Sequence, residues 1–290
     1  MVVVILNPIA GGARAVVTAQ RRAAIADLLA GHAEPTALWV TGGRGEAERL
    51  ARRAAAEGAR LVIACGGDGT VNEVGRGLVR TETVLGIAAA GSGNGLARSL
   101  ALPSDPVAAV RHALAAQDRR IDAGTLNGRW FFCTAGVGFD AAVAEAFAVD
   151  TSGTRGLRTY ARLVLRGFRT FETFEAQVDG RACRRIFMLT WANAPQFGAG
   201  AKVAPAARMD DGLLDCVVFE ETSRVATVLA VPALFVGFAA RVPGVQVTAC
   251  ASSVVESPTP LRGHVDGEPF GVGRRADALA HPGVLRVVAR

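Results

Sequence analysis

Leu61-Val62-Ile63-Ala64-Cys65-Gly66-Gly67-Asp68-Gly69-Thr70-Val71-Asn72-Glu73 is the stretch on which the reading of this chain turns. Its first four residues form an uninterrupted apolar run, the pattern of a buried strand. Three glycines in four positions follow, and between them only Asp68 keeps a Cβ. Glycine reaches positive φ and lets another group approach the backbone closely. A helix can start straight afterwards, with Thr70 as its cap and Asn72 and Glu73 in its first turn. Strand, glycine turn and helix start together aim unpaired N–H groups at an anion. Asp68 qualifies that picture, because a carboxylate repels phosphate unless a cation lies between them or a hydroxyl must lose its proton. The segment therefore suggests phosphate with Mg²⁺, or phosphate with a reacting alcohol. The plainer alternative is a tight strand–helix turn in which Asp68 caps locally.

Two more glycine turns tip the balance. Asn7-Pro8-Ile9-Ala10-Gly11-Gly12 follows the apolar run of residues 2–6, and Gly91-Ser92-Gly93-Asn94-Gly95 follows that of residues 84–89. In open α/β sheets ligands bind outside the carboxyl ends of the strands, so three such turns would converge on one ligand. Far along the chain stands Val265-Asp266-Gly267-Glu268-Pro269, two carboxylates around one glycine. Alone it reads as a hairpin turn.

Between residues 1 and 122 strand and helix patterns alternate, with helices expected at 14–30, 44–57, 70–79 and 105–116. Such alternation implies a parallel sheet covered by helices. Beyond Asp122 the character changes. Phe174, Ala176 and Val178 alternate with polar residues, as do Val245, Val247 and Ala249. That is the pattern of half-buried antiparallel strands. Helical stretches are expected near 141–148 and 157–168. The expected organisation is an α/β domain over residues 1–122 and a β-rich, sandwich-like domain over 123–290.

Composition agrees with a folded chain. The chain has 290 residues, 50% of them hydrophobic, enough for a sizeable core. The net charge is +6 and Lys202 is the one lysine. A basic face would favour anionic membrane surfaces, and a solvated arginine surface is the equal alternative. No interleaved basic and aromatic stretch marks nucleic-acid binding. Five scattered cysteines show no metal or redox spacing, which fits a reducing cytoplasm. No signal peptide is visible, and the apolar run 225–240, containing Pro232, is short for a membrane span.

Taken in order, Asn-Pro-x-x-Gly, Gly-Gly-Asp-Gly-Thr, Gly-Ser-x-Asn and a late Asp-Gly-Glu resemble the diacylglycerol kinase catalytic family, which is similar to sphingosine and ceramide kinases. Gly-Gly-Asp-Gly-Thr alone is shared with NAD kinases and phosphofructokinases; the ordered set is the specific signal. The resemblance implies an ATP- and Mg²⁺-dependent kinase acting on a lipid alcohol such as diacylglycerol or a sphingoid base, with residues 1–122 as its nucleotide-binding domain and 123–290 as its lipid-substrate domain. It implies nucleotide contacts at Asn7, Pro8, Gly11, Thr41, Gly66, Gly67, Asp68, Gly69, Thr70, Asn72, Glu73, Ser92 and Asn94. Backbone amides of Gly11, Gly67, Gly69 and Gly91 would hold phosphates. Thr41 has an equal alternative as a helix cap before Arg44. Glu268 matches the usual proton acceptor, with Asp266 a second candidate. Asp211 with the carbonyls of Leu214 and Cys216 resembles a structural Mg²⁺ site, and a plain Asp-Gly turn is the even alternative. Asp140, in Gly-Val-Gly-Phe-Asp, matches a lipid head-group contact, or else caps a helix; Arg155 and Arg158 are further phosphate candidates.

The chain departs from the family pattern at Ala10, where many members have Ser, and at Gly95, where many have Asp. The second departure removes a carboxylate from a network that would join Arg14 and Asp122. Acceptor preference is thereby left open. ATP is expected between the domains, the chain visiting the inner face of the membrane from the cytoplasm, with a homodimer conceivable through edge strands. The competing readings are an NAD kinase-like enzyme and a non-catalytic nucleotide- or lipid-binding protein on the same fold.

Overall fold

The computed structural model describes residues 1–10, 15–149, 162–164, 166–167, 171–197, 200–221, 223, 225–227, 233, 237–238 and 241–289. Gly11, Arg14, Arg155 and Arg158, most of the helix expected at 157–168 and most of the run 225–240 lie outside them. The chain forms two compact units. The first comprises Met1–Ile121 with Gly283–Arg290, the second Asp122–Pro282.

The first unit is a parallel sheet in the order β2 (Thr36–Val40), β1 (Val2–Leu6), β3 (Leu61–Gly66), β4 (Val84–Ala89). β1, β3 and β4 are buried at every residue, which is why their sequences read as unbroken apolar runs rather than alternating ones. Between them run α1 (Ala15–Ala30), α2 (Glu46–Ala56) and α3 (Asp68–Leu78). After β4 come α4 (Gly95–Ser99) and α5 (Pro106–Ala115). α1 buries Ile25 and Leu29, and α5 buries Ala109, Val110 and Ala113, in one core with alternate residues of the strands. A buried Val, Ile or Leu side chain contributes about 1.5–3 kcal/mol relative to exposure. Asp105 caps α5, its Oδ1 accepting the Ala108 N–H at 2.8 Å ahead of Pro106 in the first turn.

Residues 283–290 were expected with the second domain. Instead they complete the first unit: Val287 pairs in parallel with Leu85 on β4, Arg80 donates to the Val284 carbonyl, and Val288 joins the core of the first unit. Sequence pattern cannot assign a short apolar stretch to one sheet or another, because both would bury it.

The second unit is antiparallel: β5 (Asp118–Leu126, beginning in the first unit), β6 (Arg129–Phe131), β7 (Thr134–Gly138), β8 (Phe174–Val178), β9 (Arg181–Ala192), β10 (Leu214–Glu220), β11 (Val245–Cys250), β12 (Ser252–Val265) and β13 (Glu268–Val288, ending in the first unit). The long strands β9 and β12 each pair with both β7 and β8, so the pairing β7–β9–β8–β12 closes on itself. Ala135, Val137, Ala176, Val178, Leu189, Trp191 and Val265 share the resulting core. α6 (Phe139–Val149) packs Phe139 and Val143 with Phe187, Met188 and Ala192 of β9 in a second cluster. β11 lies at the edge of this sheet, and Val247, expected to face inward, is exposed. All five cysteines are free. No helix among the described residues is long and apolar enough to cross a membrane.

Candidate active site

In the first unit the turns after β1, β3 and β4 meet. α3 begins at Asp68, not at Thr70: its N-cap is Gly67, which offers no side chain, and Thr70 is the third helical residue. The Thr70 hydroxyl instead accepts from Asn7 Nδ2 at 2.9 Å, tying the turn after β1 to the first turn of α3. Asn7 Oδ1 also accepts the Ile9 N–H at 3.1 Å, and the Thr18 hydroxyl donates to the Pro8 carbonyl at 3.1 Å.

Asp68 binds the turn after β4. Its Oδ1 accepts the Gly95 N–H at 2.8 Å and its Oδ2 the Asn94 N–H at 2.9 Å. It thus covers the start of α4, whose own N-cap, Asn94, has a left-handed backbone and makes no side-chain cap bond. Asn94 turns its amide back on Gly91, its Oδ1 accepting the Gly91 N–H at 2.9 Å and its Nδ2 donating to the Gly91 carbonyl at 3.0 Å. That corrects two expectations: the Gly91 amide and the Asn94 side chain are engaged with each other rather than presented to phosphate. At Gly67 and Gly91 the backbones of the two turns also approach closely, so that a Cβ on Gly91 would lie 2.8 Å from the Gly67 Cα. The amides of Asp68, Gly69 and Thr70 head α3 and have no carbonyl one turn earlier in the helix to bond. They form the anion-attracting pole of the unit. Ser92 is exposed beside them.

Glu73 has a different job from the one expected. It is buried, with Oε1 accepting the Gly45 N–H at 2.8 Å and Oε2 the Ala47 N–H at 3.2 Å. It caps α2, whose N-cap Gly45 has no side chain to do so. Thr41 caps nothing: its N–H and hydroxyl both address the Leu6 carbonyl, at 2.9 and 3.5 Å. Asn72 is buried in α3 behind the turn.

In the second unit, Asp266 and Gly267 are the two central residues of the β12–β13 hairpin, both at positive φ, with Val265 and Glu268 paired across it. Asp-Gly is the pair such a turn favours. The Asp266 carboxylate accepts three backbone N–H groups: Phe132 at 2.9 Å on Oδ2, and Cys133 at 2.9 Å and Thr134 at 3.1 Å on Oδ1. Its own N–H donates to the Thr134 carbonyl at 2.8 Å. Three amides occupy all but about one of the four lone-pair sites with which this carboxylate could meet a substrate. Asp266 is therefore corrected from candidate base to anchor of the hairpin. Glu268, half-buried at the first residue of β13, is the remaining base candidate.

Asp140, expected to touch a lipid head group, is buried at the N-terminus of α6. Its Oδ1 accepts the Ala141 N–H at 2.8 Å, and its Oδ2 accepts the Thr190 hydroxyl at 2.7 Å and lies 3.2 Å from His264 Nε2. Sequence reasoning missed Thr190 and His264 as members of this site. Only the position of His264, two residues before the Asp-Gly turn, hinted at it.

The Asp211–Gly212 turn is held from Asp122, whose Oδ2 accepts the Gly212 N–H at 2.7 Å. Asp211 is exposed and its Oδ1 accepts the Leu213 N–H at 3.0 Å. Burial, and then the charge of Asp211, push the Asp215 carboxyl above its ordinary range. Two crowded carboxylates and an all-oxygen donor set suit Mg²⁺. The other two expected ligands fit less well. Leu214 and Cys216 pair with Cys250 and Thr248 of β11, and the Leu214 carbonyl also accepts from the Cys250 thiol at 3.5 Å. Among the described residues no three His, Cys, Asp or Glu side chains are grouped to hold a metal ion.

Comparison with known proteins agrees with both halves of this geometry. Residues 1–126 match the diacylglycerol kinase catalytic domain, and residues 133–289 match the YegS C-terminal NAD kinase beta sandwich-like domain. A protein of Pseudomonas aeruginosa (strain UCBPP-PA14) named "Probable lipid kinase YegS-like" is 34% identical over 292 residues, covering 94% of this chain and 88% of its own length. A protein of the same name from Chromohalobacter salexigens is 36% identical over 189 residues, a match that takes in 63% of this chain and 61% of that relative. The "Diacylglycerol kinase" of Mycobacterium tuberculosis (strain H37Rv) is 29% identical over 297 residues, covering 99% and 94%. A crystal structure of a diacylglycerol kinase from Bacillus anthracis str. Sterne superposes with a TM-score of 0.75 at 19% identity, over 100% of this chain and 96% of that one, and so shares its fold.

Proposed function

This chain belongs to the diacylglycerol kinase family, and we propose that it transfers the γ-phosphate of ATP to the hydroxyl of a membrane lipid. The observation that carries this reading is the Asp68 clamp. By holding the amides of Asn94 and Gly95, it brings two glycine turns and the start of α3 to one place. Phosphoryl transfer needs mainly positioning and charge neutralisation, and backbone amides at a helix start supply both to a polyphosphate. A carboxylate has about four lone-pair sites, so an Asp68 that accepts two amides keeps capacity for a cation. Mg²⁺ would meet the phosphates there, with Asp68 as its protein ligand. Asp211 and Asp215 would serve as a second, structural cation site.

Glu268 takes the proton of the acceptor hydroxyl. A rigid hairpin, anchored by Asp266, supports it. The acceptor reaches the protein from the membrane surface, as a lipid alcohol of the diacylglycerol or sphingoid class must. Arginine-rich surfaces would assist that visit electrostatically.

The test is transfer of labelled γ-phosphate from Mg·ATP to diacylglycerol, monoacylglycerol, sphingosine, ceramide and phosphatidylglycerol in mixed micelles, with NAD as a soluble control. One labelled lipid is expected. Glu268→Gln should lower kcat by about 10²–10⁴, the range for losing a general base. Asp266→Asn should lower the melting temperature, because its amide cannot accept three N–H bonds. Label in NAD alone would replace the lipid reading with the dinucleotide one.

A further inference from the structure

We infer that Asp140 and His264 act as a buried positioning pair that sets the Glu268 hairpin, rather than as groups that touch the lipid. The inference rests on the kinase reading for its kinetic half and on geometry for the rest. Thr190 of β9, Gly136 of β7 and His264 of β12 are neighbours in one cross-strand row. Residues in register across a sheet project to the same face. Gly136, in the middle, contributes no side chain, and Asp140 fills the gap from α6. A Cβ on Gly136 would lie 2.0 Å from Asp140 Oδ2. In that slot Oδ2 accepts from the Thr190 hydroxyl and faces His264 Nε2.

The other imidazole nitrogen completes the connection. His264 Nδ1 is 3.2 Å from the Gly267 nitrogen and accepts its N–H. With Nδ1 accepting, Nε2 carries the ring hydrogen and donates it to Asp140. The chain of contacts runs Thr190, Asp140, His264, Gly267, and ends one residue before Glu268. His264 is 3% exposed and Asp140 8%, so neither presents a polar edge to a ligand. Asp266 pins one side of the hairpin to the β6–β7 corner; His264 pins the other from beneath. A glutamate on a hairpin held from two sides stays within the narrow range of positions that proton transfer needs.

Two near-isosteric substitutions separate the halves of the histidine. Asn places an oxygen where Nδ1 was and can still accept from Gly267, but cannot reach Asp140. Gln reaches Asp140 but leaves the Gly267 amide without its acceptor. The first readout is hydrogen exchange at the Gly267 amide in the full chain, which needs no activity. Exchange should rise about tenfold or more in His264→Gln, as loss of one hydrogen bond predicts, and by less than about threefold in His264→Asn. Gly136→Ala, which evicts Asp140, should raise it with His264 intact. The second readout is kinetic. His264→Gln should lose kcat by about 10²-fold, the scale of a misplaced catalytic group, while KM for ATP and for lipid stays within about threefold. Unchanged exchange in His264→Gln overturns the inference. So does a raised lipid KM with kcat intact, which would make this pair a lipid contact. A wild-type chain inert on every acceptor, yet showing the exchange pattern, retires the kinase reading and leaves the anchor standing.

Discussion

Asp68 shows how one side chain can be both structural and chemical. Its position inside a glycine turn was legible because a lone carboxylate among glycines is chemically odd. Its partners were not legible, because the amides of Asn94 and Gly95 lie 26 and 27 positions away and leave no mark on the local sequence. The consequence differs from that of a purely catalytic residue. Asp68→Asn retains a single acceptor oxygen, so one of the two amide bonds is lost. Hydrogen bonds to charged groups contribute about 1.5–3 kcal/mol. The variant should therefore melt at lower temperature and bind ATP more weakly, whereas Glu268→Gln should leave ATP binding unchanged. A differential scanning experiment paired with a nucleotide titration reads both, and an unshifted melt in Asp68→Asn would remove the clamp from the account. The same reasoning separates Asp266 from Glu268. The two carboxylates flank the same glycine, and the three amides around Asp266 mark it as the anchor.

The elements were easier to read than their connections. Runs 2–6, 61–64 and 84–89 announced buried parallel strands because both faces are covered. Phe174–Val178 announced a half-buried strand because one face is not. Helix starts were less legible. α2 begins at Glu46 and α3 at Asp68, each preceded by a glycine that cannot cap, and α4 begins inside the third glycine turn. For α2 and α4 the cap is supplied from another element, by Glu73 and Asp68, and α3 has no side-chain cap, so the local sequence does not mark these starts. Lending caps in this way couples neighbouring helices. Glu73→Gln would leave one acceptor for two amides and remove the charge that favours the helix N-terminus, at a cost of about 1–2 kcal/mol. Hydrogen exchange across Glu46–Ala56 should rise in that variant while α5, capped by its own Asp105, stays protected. Equal protection of α2 in both proteins would show that the borrowed cap contributes nothing.

At the scale of the whole molecule the first unit is built from both ends of the sequence. The first unit takes its last strand pairing from residues 283–290. A chain stopped after Pro282 should keep the second unit intact but expose β4, so that limited proteolysis cuts first within Met1–Ile121; unchanged protection there would show the added pairing to be dispensable. During synthesis the same geometry imposes a wait. β4 emerges early, and its outer edge stays open while the whole of Asp122–Pro282 is made, roughly ten to thirty seconds at ribosomal speeds of about 5–20 residues per second. An open apolar strand edge is a template for pairing with other chains. The unit that emerges first is thus the last to be sealed, and the interval before sealing is when a crowded translation site, rather than the finished protein, faces the hazard of mispairing.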